Sequence, residues 1–276
     1  FVSPSIWAWR GGRIHGIARS VSHMLALFPF EEAIYRRHDI PVSYIGHPLA
    51  DAIPLEVDQS AARERLNLPQ DQTVFALLPG SRQSELHFMA DIYIGTARRL
   101  HQRFPEARFL VPLATRETRD LFELALYRQK ALDLPMTRLF GHAQDAIAAA
   151  DGVLVASGTA TLEAALLKKP MVIAYRMSPW SWRIMRRMKY QPWVGLPNIL
   201  AERFVVPEFL QDDATPENLA QALGNLIEDR DSRQRIARVF ATMHLQLRRN
   251  SADSAAEAIC TCLNREDKWT PAPKAA

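Results

Sequence analysis

The chain has 276 residues, of which 48% are hydrophobic and 23% charged, so it can bury one large core or two modest ones. No apolar run reaches the roughly 18 residues that a membrane-spanning helix needs. Cys260 and Cys262 are too few for a disulfide framework, no Cys/His spacing indicates zinc, and the net charge of +4 permits anionic partners.

The N-terminal region alternates strand and helix. Residues 24–28 and 42–46 are predicted strands, and residues 29–38 between them are a predicted helix. This order predicts a parallel pair of strands, followed by a linker at 53–60. The chain starts with Phe1 rather than Met, and its first residues have the character of a loop inside a fold. We therefore expect the N-terminal part of a longer protein to be missing from this sequence.

A second alternating series begins at residue 73. Its predicted strands are uniformly apolar, which is typical of parallel strands covered by helices on both faces. The predicted strands are residues 73–80, 107–114, 137–141, 152–156 and 170–176, and the predicted helices are residues 84–104, 116–130, 143–150 and 159–168. The pattern predicts a doubly wound α/β domain, then helices from residue 216 to about 264 and a disordered tail.

Ligands of such sheets bind beyond the carboxyl ends of the strands, so four loops should converge there. These loops are residues 79–82, 112–115, 141–145 and 157–161. In the first loop Gly80 permits a tight turn, Ser81 can donate to a phosphate oxygen, and Arg82 can form paired charge-assisted hydrogen bonds. A turn with a solvated arginine would show the same local pattern.

The fourth loop precedes a predicted helix. Ser157, Gly158 and Thr159 place hydroxyls and a glycine where unpaired helix N–H groups can receive an anion, although many strand–helix turns look alike. Two such loops on one rim favour a bound phosphate. Glu163, one turn into the helix, can accept both hydroxyls of a ribose or can serve as a capping carboxylate. The sequence has neither a P-loop lysine motif nor GxGxxG, which argues against P-loop NTPases and dinucleotide enzymes.

Two further features stay open at this stage. His47 follows a predicted strand and fits either a structural or a ligand-contacting histidine. Residues 177–198 are basic and aromatic, and no acidic residue occurs between Glu163 and Glu202. This stretch fits a partly buried helix, an interface with anionic lipid, or nucleic-acid binding. Its candidate membrane or acceptor residues are Trp180, Trp182, Arg183, Arg186 and Arg187.

The assembled motifs resemble the lipid-A-disaccharide synthase family, which are inverting glycosyltransferases of the GT-B type with two Rossmann-like domains. The resemblance rests on the order of "VSPSIWAWR", "FPFE", "IGHPLAD", "LLPGSR", "SGTATLE", "PMVIAYRMSP" and "LPNILA". It implies that residues 1–51 end an N-terminal acceptor-side domain, that residues 52–230 form the donor-nucleotide domain, and that residues 231–276 are closing helices with the tail.

The resemblance also implies the chemistry. UDP-2,3-diacylglucosamine would be joined to 2,3-diacylglucosamine 1-phosphate, giving a β-1,6-linked disaccharide phosphate and UDP, without a metal or cofactor. The donor site would contain Ser81, Arg82, Gly141, Ser157, Gly158, Thr159 and Glu163, with uracil held by the loop that contains Gly141. His47, Asn198 and Glu208 would face the cleft.

Further expectations concern the setting of this reaction. The catalytic group would lie in the missing N-terminal part, so this chain alone should have little activity. The protein would be cytoplasmic and peripheral to the inner membrane, would form a possible homodimer, and would have no nucleic-acid partner. Two alternatives remain: a UDP-sugar 2-epimerase of the same architecture, which would not need the basic aromatic stretch, and a nucleotide-binding fragment without activity.

Overall fold

A computed structural model describes residues 1–7, 11–188 and 192–264, with the backbone alone described for residues 185–188. Its helices are α1 (Ile14–Ser20), α2 (Pro29–Arg36), α3 (Pro48–Ala52), α4 (Gln59–Arg65), α5 (Gln83–Arg103), α6 (Arg116–Arg128), α7 (Ala143–Ala149), α8 (Thr159–Leu166), α9 (Pro179–Met188), α10 (Leu196–Ala201), α11 (Pro216–Glu228), α12 (Arg230–Leu247) and α13 (Ser251–Leu263). Its strands are β1 (Met24–Ala26), β2 (Val42–Tyr44), β3 (Val74–Leu78), β4 (Arg108–Leu113), β5 (Met136–Phe140), β6 (Gly152–Val155), β7 (Met171–Tyr175) and β8 (Glu208–Leu210).

The described chain divides into two compact units: the smaller contains residues up to Ala52, Met188 and the residues from Leu245 onward, and the larger contains residues 53–187 and 192–244. Most of α12 belongs to the larger unit. The domain boundaries that the resemblance implies, after residues 51 and 230, stay predictions. The tail predicted to be disordered, residues 271–276, lies outside the described residues.

The smaller unit is built on the predicted parallel pair. Met24 of β1 lies opposite Val42 of β2, and α2 connects the two strands. A small core forms around Tyr35, which is fully buried and whose hydroxyl lies 2.6 Å from Ser3 Oγ. The C-terminal helix α13 is tied to α3 of this unit. The Asp51 carboxylate of α3 accepts hydrogen bonds from three backbone N–H groups at the start of α13, those of Arg249, Asn250 and Ser251.

The larger unit contains a six-stranded parallel sheet in the order β5-β4-β3-β6-β7-β8. The chain starts in the middle at β3, builds outward to β5, and then returns to the other side of β3 with β6. Neighbouring loops therefore leave β3 and β6 in opposite directions, which opens a crevice at their carboxyl ends. The predicted α/β class with a doubly wound parallel sheet is confirmed.

The core of this unit explains the apolar strands of the sequence. All five residues of β3 and all four of β6 are buried, since helices cover both faces of the sheet. The long helix α5 buries Leu86, Met89 and Tyr93 against one face, and α11 packs beside it. Each such side chain removed from water contributes about 1.5–3 kcal/mol before the entropy cost of folding.

Several short elements were not predicted from the sequence, including α1 and α3 in the smaller unit and α10 and β8 in the larger one. The short strand β8 pairs with β7 at the sheet edge, and α10 begins just before it with Pro197 in its first turn. Both α10 and β8 are short and show no clear periodicity of apolar residues, so whether they form helix or strand depends on packing. Among the described helices, none has the length and apolar character needed to cross a bilayer.

Candidate functional site

A pocket of about 370 Å³ lies at the carboxyl edge of the larger sheet, where β3 and β6 diverge. Residues from all four of the predicted loops line it, together with Glu85 of α5 and Glu163 of α8. The chain reversal between β5 and β6 brings the loop after β6 beside the loop after β3, although about 75 residues separate them in sequence. The structure thus brings Ser81, Arg82, Gly141, Ser157, Gly158, Thr159 and Glu163 together.

The N-terminus of α8 faces this pocket without a cap. Gly158 precedes the helix with φ +129°, a conformation that L-residues rarely adopt, and no side chain of a described residue caps the helix there. A Cβ added to Gly158 would meet no described atom within 4 Å, so the approach to the backbone is open. Unpaired N–H groups and the helix dipole favour a negative charge at this point.

The corresponding end of α5 is already occupied by a carboxylate. Glu85 Oε2 accepts hydrogen bonds from Ser81 N at 3.0 Å and Arg82 N at 3.3 Å. Gly80 makes this contact possible, because a Cβ at its position would lie 2.6 Å from Glu85 Oε2. Glu85 therefore shapes the loop, and the backbone N–H groups of Ser81 and Arg82 are committed to it.

The side chain of Arg82 remains available to a ligand. It is 78% exposed and makes only a 3.3 Å contact with Glu85 Oε1, which is a weak pairing in water. The pocket thus combines the uncapped N-terminus of α8 with the exposed guanidinium of Arg82. Such a pair can hold a pyrophosphate from two sides.

Glu163 is a half-buried carboxylate on the pocket wall. It is the fifth residue of α8, and the capping position nearer the helix start belongs to Thr161, whose Oγ1 donates to Gly158 O at 2.7 Å. No described residue forms a hydrogen bond or ion pair with the Glu163 carboxylate, and burial raises its pKa above the ordinary 4.5. The capping interpretation is therefore wrong for Glu163, which is free to accept hydroxyl donors.

The loop after β5 gives the pocket a backbone wall. Gly141 has φ +73° and His142 has φ +53°, so two consecutive left-handed residues turn the chain into α7. The Gly141 N–H donates to Leu113 O at 3.0 Å, which ties this loop to the end of β4. Gly141 has open space where a Cβ would be, so a planar ligand can approach the backbone there.

Asn198 and Glu208 do not line this pocket. Asn198 is fully buried, and its Oδ1 accepts from Val205 N and Val206 N at 2.8 and 3.0 Å. Its Nδ2 donates to Glu208 Oε1 at 2.8 Å. The Glu208 carboxylate also accepts from the backbone N–H groups of residues 194 and 195. A buried amide with these partners holds the turn between α10 and β8, and the expectation that Asn198 and Glu208 face the cleft stays a prediction.

His47 belongs to the smaller unit and packs as a buried ring. Its centroid lies 5.5 Å from that of Phe28 in a stacked arrangement, and its Nδ1 accepts from Leu49 N at 3.2 Å. Burial lowers the pKa of His47, while the Asp51 carboxylate acts in the opposite direction. The imidazole is thus held neutral at pH 7 with one nitrogen already engaged.

Helix α9 exposes an aromatic and basic surface. Trp180 is 75% exposed and Ile184 is 60% exposed, one turn apart on the same face. The Arg183 guanidinium lies 5.6 Å from the Trp180 ring centroid, a cation–π contact. Trp182 is half-buried, and the side chains of Arg186 and Arg187 lie outside the described residues. Trp180 is therefore a surface residue and not part of the core.

Glu85 is the pocket residue that sequence reasoning missed. The sequence did contain an indication of its role, because a carboxylate three residues after the residue that caps a helix is typical of a capping box. The sequence shows the spacing from Arg82 but not that the capped loop borders a ligand pocket. Among the described residues, no group of three His, Cys, Asp or Glu side chains could hold a metal ion.

Comparisons with known proteins identify the family. The family model described as lipid-A-disaccharide synthetase matches residues 1–262. A lipid-A-disaccharide synthase from Aromatoleum aromaticum is 61% identical over 276 residues, which are 100% of this chain and 71% of that protein.

Solved structures show the same fold at low identity. HepE from Anabaena in complex with UDP-glucose gives a TM-score of 0.54 at 15% identity, covering 92% of this chain and 67% of that one. The UDP-GlcNAc 2-epimerase from Neisseria meningitidis bound to UDP-GlcNAc gives 0.54 at 14%, covering 88% and 62%. The fold is thus shared with a UDP-glucose complex and with an epimerase, whereas the sequence match is specific: the chain belongs to the lipid-A-disaccharide synthase family of glycosyltransferases.

Proposed function

We propose that this chain binds the donor of a glycosyl transfer that joins UDP-2,3-diacylglucosamine to 2,3-diacylglucosamine 1-phosphate and releases UDP. Family membership supports the reaction as a whole. The single structural observation that supports the donor site is the combination, in one pocket, of an uncapped helix N-terminus at α8 and an unpaired carboxylate at Glu163.

The pyrophosphate would lie at the start of α8. Departure of UDP develops negative charge on the β-phosphate, and donors already aimed at that position stabilise the transition state without reorganisation. Thr159 lies at the uncapped end, and Arg82 can reach across from the loop after β3. Because Glu85 already occupies the N–H groups of that loop, α8 is the only one of the two helix ends that can receive the phosphates through its backbone.

The nucleoside would extend along the pocket from the phosphates. Glu163 is one turn into α8, at a distance from the helix end that suits a ribose attached to the pyrophosphate. A charged carboxylate that accepts two hydroxyls forms stronger hydrogen bonds than a neutral acceptor. The open backbone at Gly141 is suited to the uracil ring, which needs in-plane donors and acceptors rather than charge.

Calorimetric titration of UDP tests this site. Arg82→Ala should weaken UDP binding by about 1.5–3 kcal/mol, the range for a hydrogen bond to a charged group. Arg116→Ala is a matched control, since Arg116 is also exposed, begins the helix after β4 and does not line the pocket. Equal UDP affinity in Arg82→Ala and the wild type would remove Arg82 from the site.

We further propose that α9 contacts the cytoplasmic leaflet of the inner membrane, where acylated donor and acceptor reside. Trp180 and Ile184 supply exposed apolar surface on one face, and Arg183 supplies charge beside them. Basic side chains near an anionic bilayer contribute about 1 kcal/mol each and are screened by salt, whereas apolar burial is not.

Vesicle flotation separates these contributions. Changing Arg183, Arg186 and Arg187 together to Ser should reduce binding to phosphatidylglycerol vesicles at low salt, while UDP affinity stays unchanged. Trp180→Ser should reduce the binding that survives at high salt. Tyr127→Ser is the control, because Tyr127 is an equally exposed aromatic residue on α6. Undiminished vesicle binding by both α9 variants would contradict the membrane role.

A further inference from the structure

A second cavity lies at the opposite edge of the larger sheet. It has a volume of about 320 Å³, and its lining includes Asp151, which precedes β6, and Lys169, which precedes β7. Since all strands of this sheet are parallel, the amino ends of β6 and β7 are a full strand length from the pocket at their carboxyl ends. The two cavities are therefore separate sites.

Positive charge dominates this second cavity. Lys168, Lys169, Arg230 and Arg233 line it, and Asp151 is the one acidic residue among the described residues that do so. The Asp151 carboxylate is already engaged, because it accepts from Arg63 Nη2 and Val74 N at 2.8 Å each and from Gln59 Nε2 at 3.0 Å. Its charge is matched by that of Arg63, and Lys168 Nζ contacts Pro54 O and His244 Nδ1, so Lys169, Arg230 and Arg233 give the cavity its excess positive charge.

Lys169 is the most unusual of these cations. It is only 8% exposed, and its ammonium forms no hydrogen bond or ion pair with another described residue, although its backbone N–H donates to Ala164 O at 3.0 Å. Burial lowers its pKa to about 8, with Asp151 opposing the shift and Arg63 adding to it. A buried ammonium without a partner is costly, and proteins normally pair such a charge.

Arg233 of α12, which also lines the cavity, likewise has a donor atom without a partner. Its Nε is buried and has no hydrogen-bond partner among the described residues. The cavity therefore holds a fully buried donor without a partner, Arg233 Nε, and a largely buried ammonium, that of Lys169. A tetrahedral oxyanion would satisfy both, because it offers several acceptor oxygens to donors that converge from different directions.

We propose that this cavity is a second anion site, in which Lys169 and Arg233 bind a phosphate group carried by a small phosphorylated molecule or by a phospholipid headgroup. The site is distinct from the donor pocket and adds to the proposed function without depending on it. The unsatisfied Arg233 Nε beside the largely buried Lys169 ammonium, in a cavity with excess positive charge, sets it apart from an ordinary basic surface.

Binding of inorganic pyrophosphate tests the proposal. It is titrated calorimetrically in a phosphate-free buffer with saturating UDP, so that the pocket at α8 is filled. Lys169→Met keeps the length of the side chain and removes the charge, and it should weaken pyrophosphate binding at least tenfold. Arg233→Met should do the same and serves as the second variant if Lys169→Met does not fold.

Two controls identify the site and the ligand. Arg238→Met removes an exposed charge from the same helix outside the cavity and should leave pyrophosphate binding unchanged. Arg82→Ala should weaken UDP but not pyrophosphate measured under these conditions. Vesicles of phosphatidylglycerol and of phosphatidylcholine then identify the source of the phosphate group. If the protein binds phosphatidylglycerol vesicles more tightly and this binding depends on Lys169, the ligand is a lipid headgroup. If it does not, the ligand is a free phosphate compound.

Different results would contradict the second anion site and the donor site. If the wild type binds neither pyrophosphate nor anionic vesicles in a manner that depends on Lys169 or Arg233, the cavity is not an anion site. If UDP does not bind, only the donor site is overturned. Pyrophosphate binding that persists in Arg82→Ala and is lost in Lys169→Met would still support the second cavity.

Discussion

Replacement of Glu163 by Gln should improve the stability of the protein and damage its binding of UDP. The change keeps the shape of the side chain and removes a charge that is half-buried and has no partner among the described residues. If the carboxylate accepts ribose hydroxyls, its loss should cost about 1.5–3 kcal/mol of binding free energy. At about 1.4 kcal/mol per decade, the Kd for UDP should rise roughly 10- to 150-fold.

The effect on stability has the opposite sign. Burial raises the pKa of Glu163 above 4.5, so the folded state binds the proton more tightly than the unfolded state. The free energy of unfolding of the wild type therefore falls as pH rises from 4.5 through the raised pKa, and the ionised form remains unfavourable at pH 7. Glu163→Gln should thus have the higher melting temperature at pH 7, and the difference should disappear near pH 4.

Glu85→Gln is the matched control in the same pocket. Its carboxylate holds Ser81 N and Arg82 N, so the variant should lose about 1 kcal/mol of stability per weakened hydrogen bond. Urea unfolding and UDP calorimetry on both variants provide the test. A Glu163→Gln protein that is less stable than the wild type, or that binds UDP equally well, would refute the assignment of Glu163 to the ligand.

Three further changes test the helix end at Gly158, the turn held by Asn198 and the buried charge of Lys169. Gly158→Ala should cost about 1–3 kcal/mol in urea unfolding, because the residue has φ +129° while its Cβ would meet open space, so strain and not a clash is measured. Asn198→Ala should cost about 2–4 kcal/mol, since the N–H groups of Val205 and Val206 lose a buried acceptor, and a loss below 1 kcal/mol would show that water replaces it. Lys169→Met should raise stability by up to about 3 kcal/mol at pH 7 in phosphate-free buffer, because a pKa of about 8 in place of 10.5 reflects an unfavourable buried charge. That gain should shrink as pH rises from 8 to 10.5, where the wild-type lysine loses its proton, and a constant gain would point to packing instead.

Much of the local structure follows from the sequence alone. The apolar runs at 74–78 and 152–155 predict buried parallel strands, because only a strand covered on both faces needs no polar side. The loops with Gly80 and Gly158 were recognisable, since glycine beside hydroxyls after a strand is the pattern that an anion site requires. The order of short motifs identified the family before any contact was known.

Tertiary structure decided what these local features do together. Strand order places β6 beside β3, and no local pattern states that order because it results from long-range packing. Only the folded chain shows that Glu85 occupies one helix end and leaves the other open, or that Asn198 is buried. The same holds for Lys169, whose sequence neighbours suggest an ordinary exposed lysine. The sequence determined which residues could form strands, turns and donors, and packing of distant segments determined which charges remained without partners, because burial and pairing are properties of the whole fold.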